Sequence, residues 1–579
     1  MGEWFSRVIT EAAASKRVQA LLLAGLIFAV LAPALGSDFI WDDINQIVDS
    51  PTIGDPRRIP SYFTHNVVES MGSEGRGAEG VDTYRPLFMV ALAAVYAVAG
   101  PDPFGFHLAV LAAHLMVSLL LWTLADRWLD SRLATVLAVL FFACHPVTAE
   151  AYLWCSAISE PMSSAGLLGA VLLLDRYCRN DRRDSAGWRA ALAAGVVFLA
   201  GLLSKEAVLM ALPAVSLYLL WARRVRLRWL TPLWAAAAIF LAMRVFALGG
   251  LQAGGADGEQ RLHALRVYPV LVLDGLRAML GLWPVGIRHL SWEYERIGWG
   301  MSAIAALGCI VLVTVAIVLR RRTPLVLLAV TITGLMLAPI AMVATVPGWG
   351  GFGRYLYLPL AFTSLALAEI GPYAHSWLST NRPRLRWAIP LLVAVVLIVE
   401  QIGLRNALWV YANQENLARA AIEIFPDGPD GYEWLGNAFL ARGDLPAALI
   451  CYRQATERGP ELYRPRHNLA AALLYTGRPE EALEQLAIAE ALHGATSDGS
   501  TVVITALLRL RRWNEATDRL LDALERAPAD PALRRLGARL LAEHPRPEAL
   551  RARLAAELTS ERRRHAAEVL TRMIHQGSQ

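Results

Sequence analysis

Two adjacent carboxylates, Asp42 and Asp43, stand in the stretch SDFIWDDINQIVDSP (Ser37–Pro51), directly after an apolar run, Val18–Leu35. Further ionisable groups sit beside other apolar runs: Arg85 in TYRPL, His145 and Glu150 in CHPVTAE, Glu160 in AISEP, Lys205 and Glu206 in LLSKEA, Arg354 and Tyr355 in GGFGRYLYLP. Charges next to a bilayer are costly to keep and usually functional. Cations together with acids suit one chemistry well: the cations hold a lipid-linked phosphate, and a carboxylate accepts the proton of an incoming hydroxyl. Each residue also has a plainer role. Asp42 and Asp43 suit a solvated loop or a helix N-cap, Arg85 suits snorkelling to headgroups, His145 suits a helix end, and Glu150 and Glu160 suit ordinary loop acids. Trp41 favours the interfacial reading, because an aromatic belt holds its neighbours close to the membrane.

Lys205 carries an argument internal to the chain. Of 55 Lys plus Arg residues only Lys16 and Lys205 are lysines. A chain so biased to arginine keeps a compact ammonium here, and an ammonium binds phosphate as a point charge where a guanidinium acts as a planar fork. His107 and His114 share one face of an apolar segment and read as interior packing.

These residues need elements to hold them. The 579-residue chain is 55% hydrophobic, with mean hydropathy +0.39, too apolar for an ordinary soluble enzyme. A net charge of +5 gives no ground for a nucleic-acid partner. A bilayer crossing takes about 20 apolar residues. Eleven segments qualify, several of them short: Val18–Leu35, Phe104–Leu124, Leu133–Ala149, Pro161–Leu174, Ala190–Leu203, Ala207–Trp221, Trp229–Leu248, Met301–Leu319, Pro324–Val343, Tyr355–Ile370 and Trp387–Leu404. Arginine clusters fall at every second connection, which puts the N-terminus inside and the acidic and basic set outside. Leu87–Val98 and Val267–Trp283 read as helices lying in the outer interface. The first run is long and lacks a small-residue cleavage site before the Asp pair, so it reads as a retained anchor. The five cysteines show neither metal-ligand spacing nor a disulfide framework; a bond between Cys144 and Cys155 stays open.

From Tyr432 a period of 34 residues sets in. Leu435, Gly436, Phe439, Gly443, Ala448, Tyr452, Ala455 and Pro460 are followed by Leu469, Ala470, Leu473, Gly477, Ala482, Leu486, Ala489 and Gly494, then by Ala516, Ala523 and Pro528. This is the tetratricopeptide pattern of stacked helix pairs. The expected fold class is therefore all-α: a polytopic membrane helix bundle followed by a tetratricopeptide α-solenoid. The expected division is 1–405 membrane module, 406–431 connector helix, 432–560 repeats and 561–579 tail.

FIWDD, YRPL, PFGFHLAVLAAHL, HPVTAEAYLW, LLSKEAVLMALP and RYLYLP, in this order ahead of such repeats, resemble the transmembrane and tetratricopeptide-repeat O-mannosyltransferases, members of the C superfamily of polyprenyl-phosphate-sugar-dependent membrane glycosyltransferases. The resemblance implies that Asp42, with Asp43 beside it, is the catalytic acid of the first outer loop, and that Lys205 and Arg354 bind the donor phosphate. It implies a polyprenyl-phosphate-linked sugar as donor substrate and a polypeptide or other envelope acceptor. Stacked repeats generate concave grooves that suit recruiting such an acceptor, the alternative being a spacer that stabilises the membrane module. Arg85, His145, Glu150, Glu160, Glu206 and Tyr355 are further substrate-binding candidates. SAISE (Ser156–Glu160) stands where a Gly-Arg-Ala-Asp type sequence is common in such enzymes, so mannose as the sugar does not carry over. No cofactor is assigned with certainty, and a divalent metal stays open. The arginine-rich composition suggests a bacterial inner-membrane protein with its site and repeats in the periplasm. The competing reading is a non-catalytic membrane scaffold for envelope proteins, which needs the repeats alone.

Overall fold

The structure, a computed structural model, describes residues 15–67, 83–178, 184–250, 258–281, 297–343, 353–528, 530–557 and 566–571. Gly350–Phe352, Trp283 and part of the expected tail lie outside these residues. Among the described residues there are helices and turns and no strand. The chain forms two compact units, the first running to Leu417 and the second starting at Ala418.

The first unit contains α1 Lys16–Leu31, α2 Pro86–Ala99, α3 Pro103–Trp128, α4 Arg132–Cys144, α5 Ser159–Tyr177, α6 Asp184–Ser204, α7 Leu212–Trp221, α8 Thr231–Leu248, α9 Gly258–Met279, α10 Trp299–Leu319, α11 Pro324–Val343, α12 Tyr357–Asn381 and α13 Ala388–Val410. α14, Gln414–Ile424, contains the boundary between units. All eleven expected membrane segments are helical. Eight of them are long and apolar enough to cross a membrane. The other three differ for visible reasons. α4 has 13 residues, about 20 Å of helix against a hydrocarbon core of about 30 Å. α7 is preceded by a 3-10 turn, Glu206–Ala211, so the apolar stretch is short. α12 is long but contains Glu369, Pro372 and His375. α2 is also short. α9 starts at Gly258, well before Val267, and buries Asp274 together with Val267 and Leu271.

Local chemistry explains the ends. Asp102 accepts the N–H of Phe104 and Pro103 opens α3; Ser131 caps α4 through Ala134 N–H. These side chains satisfy donors that a helix N-terminus leaves unpaired. α5 and α6 pack backbone to backbone. A Cβ added at Gly166 would lie 2.6 Å from the Gly201 Cα, so small residues are required at this crossing. α5 also sets the polarity of the bundle. Glu160 lies in its first turn and Asp175 near its last, about 22 Å apart along the axis. Buried Asp175 accepts from Arg127 Nε at 2.8 Å and Arg223 Nε at 2.7 Å. Arg127, Arg176 and Arg223 thus stand at the end of α5 opposite the Glu160 cluster. Cys144 and Cys155 are free, buried thiols.

The second unit is built of helix pairs, α15 Asp430–Ala441 with α16 Leu445–Arg458, α17 Tyr463–Tyr475 with α18 Pro479–His493, α19 Ser497–Arg509 with α20 Trp513–Arg526, and α21 Pro531–Glu543 with α22 Pro547–Glu557. Pairs begin 33 or 34 residues apart, as the sequence period predicts. Within the expected tail, Ala566, Ala567 and Leu570 join the core of Leu550 and Leu554. The turn inside each of the first three pairs is the same. Residues 443, 477 and 511 have φ of +78°, +76° and +57°, and the next N–H bonds a carbonyl five residues back, Asp444 to Phe439, Arg478 to Leu473 and Arg512 to Leu507, each at 2.9 Å. This is the Schellman termination, whose left-handed position suits glycine. The first two turns have glycine; the third has Arg511. Left-handed backbone costs a side-chain-bearing residue about 1–2 kcal/mol. Arg511→Gly is therefore expected to stabilise the repeat unit by about 1 kcal/mol, read as a higher urea midpoint. An unchanged or lower midpoint would contradict this account of the turn.

Candidate active site

The first loop separates the two aspartates. Phe39 packs edge-on against Phe106 with ring centroids 5.5 Å apart, and Ile40 is fully buried. The chain then turns sharply: Asp43 N–H donates to Ile40 O at 2.9 Å, and Trp41 has φ +51°. That conformation is unfavourable for a bulky residue. It is held by the Trp41 ring stacking on Trp154, 5.1 Å between centroids and 9° between planes, and by Trp41 N–H donating to Gln414 Oε1 at 2.8 Å. As a result Asp43 points inward. It is 0% exposed and accepts from Ser156 N–H at 2.7 Å, Ser156 Oγ at 2.5 Å and Ile40 N–H at 3.2 Å. Asp42 stays half-buried, within electrostatic reach of Arg354. The acid pair read from the sequence is thus one presented carboxylate and one internal clasp.

The cations converge from three parts of the chain. Arg85 donates through Nε and Nη2 to Glu206 at 2.8 and 2.7 Å. Lys205, in extended backbone between α6 and the 3-10 turn, pairs with Glu160 and lies 4.8 Å from the Tyr355 ring centroid. Arg354 lies over Tyr355 at 5.1 Å and over Trp154 at 4.5 Å, and donates to the Tyr355 hydroxyl at 3.2 Å. Arginine over an aromatic face is favourable and keeps the guanidinium oriented. Burial pulls the Lys205 ammonium down to about 8, with Glu160 opposing and the Arg85 and Arg354 charges adding to the fall. Burial also works against Arg85, but Glu206 outweighs it and holds the guanidinium above its ordinary value.

Glu150 is engaged by the protein's own groups. It is buried and accepts Arg354 N–H at 3.0 Å and the Tyr411 hydroxyl at 3.1 Å. It fastens the Gly353–Leu356 turn that carries Arg354. Gly353 is tightly constrained there, because a Cβ would fall 2.0 Å from Val147 O. Burial raises the Glu150 carboxyl despite the nearby Arg354. His145 also turns inward, 1% exposed. Its Nδ1 accepts Val147 N–H at 3.1 Å, and Nε2 faces Glu400 Oε1 at 3.6 Å.

The structure therefore joins Asp42, Arg85, Glu160, Lys205, Glu206, Arg354 and Tyr355, and sets Asp43, Glu150 and His145 behind them as supports. His107 approaches Asp38 O at 3.4 Å, and His114 contacts the Tyr357 hydroxyl at 2.6 Å and Ala143 O at 3.1 Å, both interior packing. No group of three His, Cys, Asp or Glu side chains suited to a metal occurs among the described residues. Sequence reasoning missed Ser156, Tyr411, Gln414 and Glu400. Glu400 alone carried a signal, a single acid in the apolar run Trp387–Leu404.

Asp43 gives a pH test. Burial pushes its carboxyl up to about 7 against the three hydrogen bonds it accepts. With the folded value above the unfolded one, near 3.8, the folded state holds the proton longer. Its contribution to stability is complete below pH about 4 and is lost as pH rises to about 7. Wild-type thermal stability should fall over that interval relative to Asp43→Asn, which has no proton to lose. Parallel curves for the two proteins would refute the assignment.

Residues 85–248 match the family described as dolichyl-phosphate-mannose-protein mannosyltransferase. That stretch holds Arg85, Glu160, Lys205 and Glu206, and stops short of Arg354. Among curated proteins the chain is 27% identical over 165 residues to Protein O-mannosyl-transferase TMTC3 of Homo sapiens, covering 28% of this chain and 17% of that protein. It is 29% identical over 210 residues to Protein O-mannosyl-transferase Tmtc2 of Drosophila melanogaster, 34% and 21% of the two chains. It is 30% identical over 171 residues to Protein O-mannosyl-transferase TMTC1 of Homo sapiens, 29% and 18%. The chain thus spans about a fifth of the length of these relatives. With a matching stretch that carries four of the seven residues gathered at the site, the membrane unit is similar to the dolichyl-phosphate-mannose-protein mannosyltransferases.

Proposed function

We propose that this protein is a membrane glycosyltransferase that moves a sugar, mannose or another hexose, from a polyprenyl-phosphate donor to a hydroxyl of a polypeptide or other envelope acceptor. The observation that carries the reading is the convergence of Lys205 and Arg354 on the Tyr355 ring, with Asp42 within electrostatic reach of Arg354. A scaffold has no use for a buried ammonium and a half-buried guanidinium gathered on one aromatic ring, with a half-exposed acid within electrostatic reach of the guanidinium.

In the reaction, the acceptor hydroxyl gives its proton to Asp42 as its oxygen bonds to the sugar's anomeric carbon. The bond from that carbon to the phosphate oxygen breaks, and polyprenyl phosphate leaves with the electron pair. Lys205 and Arg354 hold the phosphate as its charge grows, which lowers the barrier more than it favours the bound donor. Arg85, Glu160, Glu206 and Tyr355 line the donor position. The repeats recruit the acceptor and raise its concentration at the membrane. The site and repeats share the periplasmic side of a bacterial inner membrane on this reading.

The direct test is transfer from a radiolabelled polyprenyl-phosphate sugar to a threonine peptide by the purified full chain. Asp42→Asn should lower turnover by about 10²–10⁴ while donor binding persists. Turnover within a few-fold of wild type would remove Asp42 from the mechanism. Lys205→Ala should weaken donor binding more than Lys205→Arg, because a lost charge-assisted contact costs about 1.5–3 kcal/mol; an unchanged donor dissociation constant would contradict the phosphate role. Removing the repeats must spare Tyr411 and Gln414, so the cut belongs after Leu417. Such a truncation should keep transfer to the short peptide and lose transfer to a full-length acceptor. Equal loss of both would dismiss acceptor recruitment as the repeats' role.

A further inference from the structure

Three buried polar atoms face one another without a hydrogen-bond partner: His145 Nε2 and both carboxylate oxygens of Glu400. The two side chains are 1% and 2% exposed, and Nε2 lies 3.6 Å from Glu400 Oε1. Buried polar groups are almost always paired, and unpaired ones call for an explanation. Glu400 lies in α13, within an apolar segment long enough to cross a membrane, where an ionisable residue is retained for a purpose. The proposed reaction does not use it.

The imidazole has a defined role. Its Nδ1 accepts Val147 N–H at 3.1 Å, so in the neutral ring the proton is on Nε2. Nε2 is then a donor 3.6 Å from Glu400 Oε1 and is closed to metal ligation. Among the described residues the other polar neighbours are the Met279 main chain, a competing hydrogen-bond partner for His145, the Cys144 thiol and Tyr152 hydroxyl beside Glu400, and Gln401, which bonds Cys144.

The placement matters because of what else α13 holds. Tyr411 directly follows α13 and donates to Glu150. Eleven residues separate Glu400 from Tyr411, which brings them to within about 20° on one helix face and about 16 Å apart along the axis. His145 and Glu150 bound one short segment, and α13 grips it at both ends. That segment continues through Trp154, under Arg354, to Ser156, which clasps Asp43.

We propose that His145 and Glu400 are a positioning pair, joined by a hydrogen bond made directly or through one water, that anchors the 145–158 segment to α13 and so sets Arg354 over the donor site. The kinetic half of this inference rests on the proposed transfer reaction; the structural half does not. The test compares Glu400→Leu, Glu400→Gln and the double variant His145→Leu/Glu400→Leu in the full-length detergent-purified chain. Amide hydrogen exchange over 145–158 and transfer kinetics with a polyprenyl-phosphate sugar are the two readouts. Glu400→Leu leaves Nε2–H stranded, and exchange should accelerate about tenfold while the donor KM rises about tenfold with kcat little changed. Glu400→Gln keeps an acceptor and should restore both. The double variant removes both polar groups and should lie closer to wild type than Glu400→Leu, since an apolar pair strands nothing. If Glu400→Leu does not fold, recovery of folding in the double variant supports the pairing, and failure to recover overturns it. Unchanged exchange in Glu400→Leu would also overturn it, as would a Glu400→Gln enzyme with kcat collapsed and exchange normal, which would make Glu400 an acid or base. If no chain transfers sugar at all, the proposed function falls and exchange alone still decides the pair.

Discussion

A charge withdrawn from water must find a partner or give up its charge, and the membrane unit is organised around that constraint. Lys205 and Arg85 are adjacent in space, yet each is matched to its own acid, Glu160 and Glu206. Lys205 and Glu206 are sequence neighbours whose side chains serve different partners, because the chain is extended at Lys205 before it tightens into the following 3-10 turn. Arg354 is stabilised by another route, with its guanidinium over Trp154 and Tyr355 and its turn secured by Glu150. Three cations are thus brought within mutual influence without leaving a large uncompensated charge.

The aspartate loop solves a related problem with backbone strain. Two neighbouring carboxylates in a regular strand or helix turn would point in directions fixed by the period of the element. Here Trp41 adopts a positive φ, Asp43 folds under to clasp Ser156, and Asp42 is left at the surface of the cluster. The Trp41–Trp154 stack offsets the strain and ties the first loop to the segment that supports Arg354. One aromatic contact therefore couples the acid to the cation beside it.

Much of this was legible in the sequence, and the reasons are physical. Helix identity followed from apolar runs, and the repeat followed from small residues recurring every 34 positions, since both depend on side-chain size and periodicity alone. The ionisable residues were legible as a set, because charge beside a bilayer is conspicuous whatever its partner. Direction was not. Nothing in DD says which acid turns inward; that depends on the dihedral at Trp41 and a hydroxyl more than a hundred residues away, at Ser156. Glu150 and His145 sat in a motif that suggested contact with substrate; in the structure Glu150 accepts from the Arg354 main chain and Tyr411, and His145 turns inward and accepts the Val147 N–H, neither of which the motif announces. Arg511 shows the converse. It occupies a glycine position of the repeat, and the turn forms regardless, because packing of the flanking helices overrides one residue's preference.

The arrangement of charge also bears on direction in the proposed reaction. A sugar-bearing phosphodiester has one negative charge, and the monoester it releases approaches two at neutral pH. A site complementary to the donor alone would gain nothing as that charge appears. In this site the cations differ in how firmly they are already held. Arg85 is fixed by a bidentate acid in matched planar geometry, the most specific pairing available to it. Lys205 has a single carboxylate partner and a flexible stem. Burial has already weakened its hold on its proton, so the growing phosphate charge secures the ammonium more strongly than the donor does. The lysine is on this account the component that responds to bond breaking, and the arginines set the geometry in which it responds. That division explains why one ammonium is useful in a chain that otherwise favours the guanidinium.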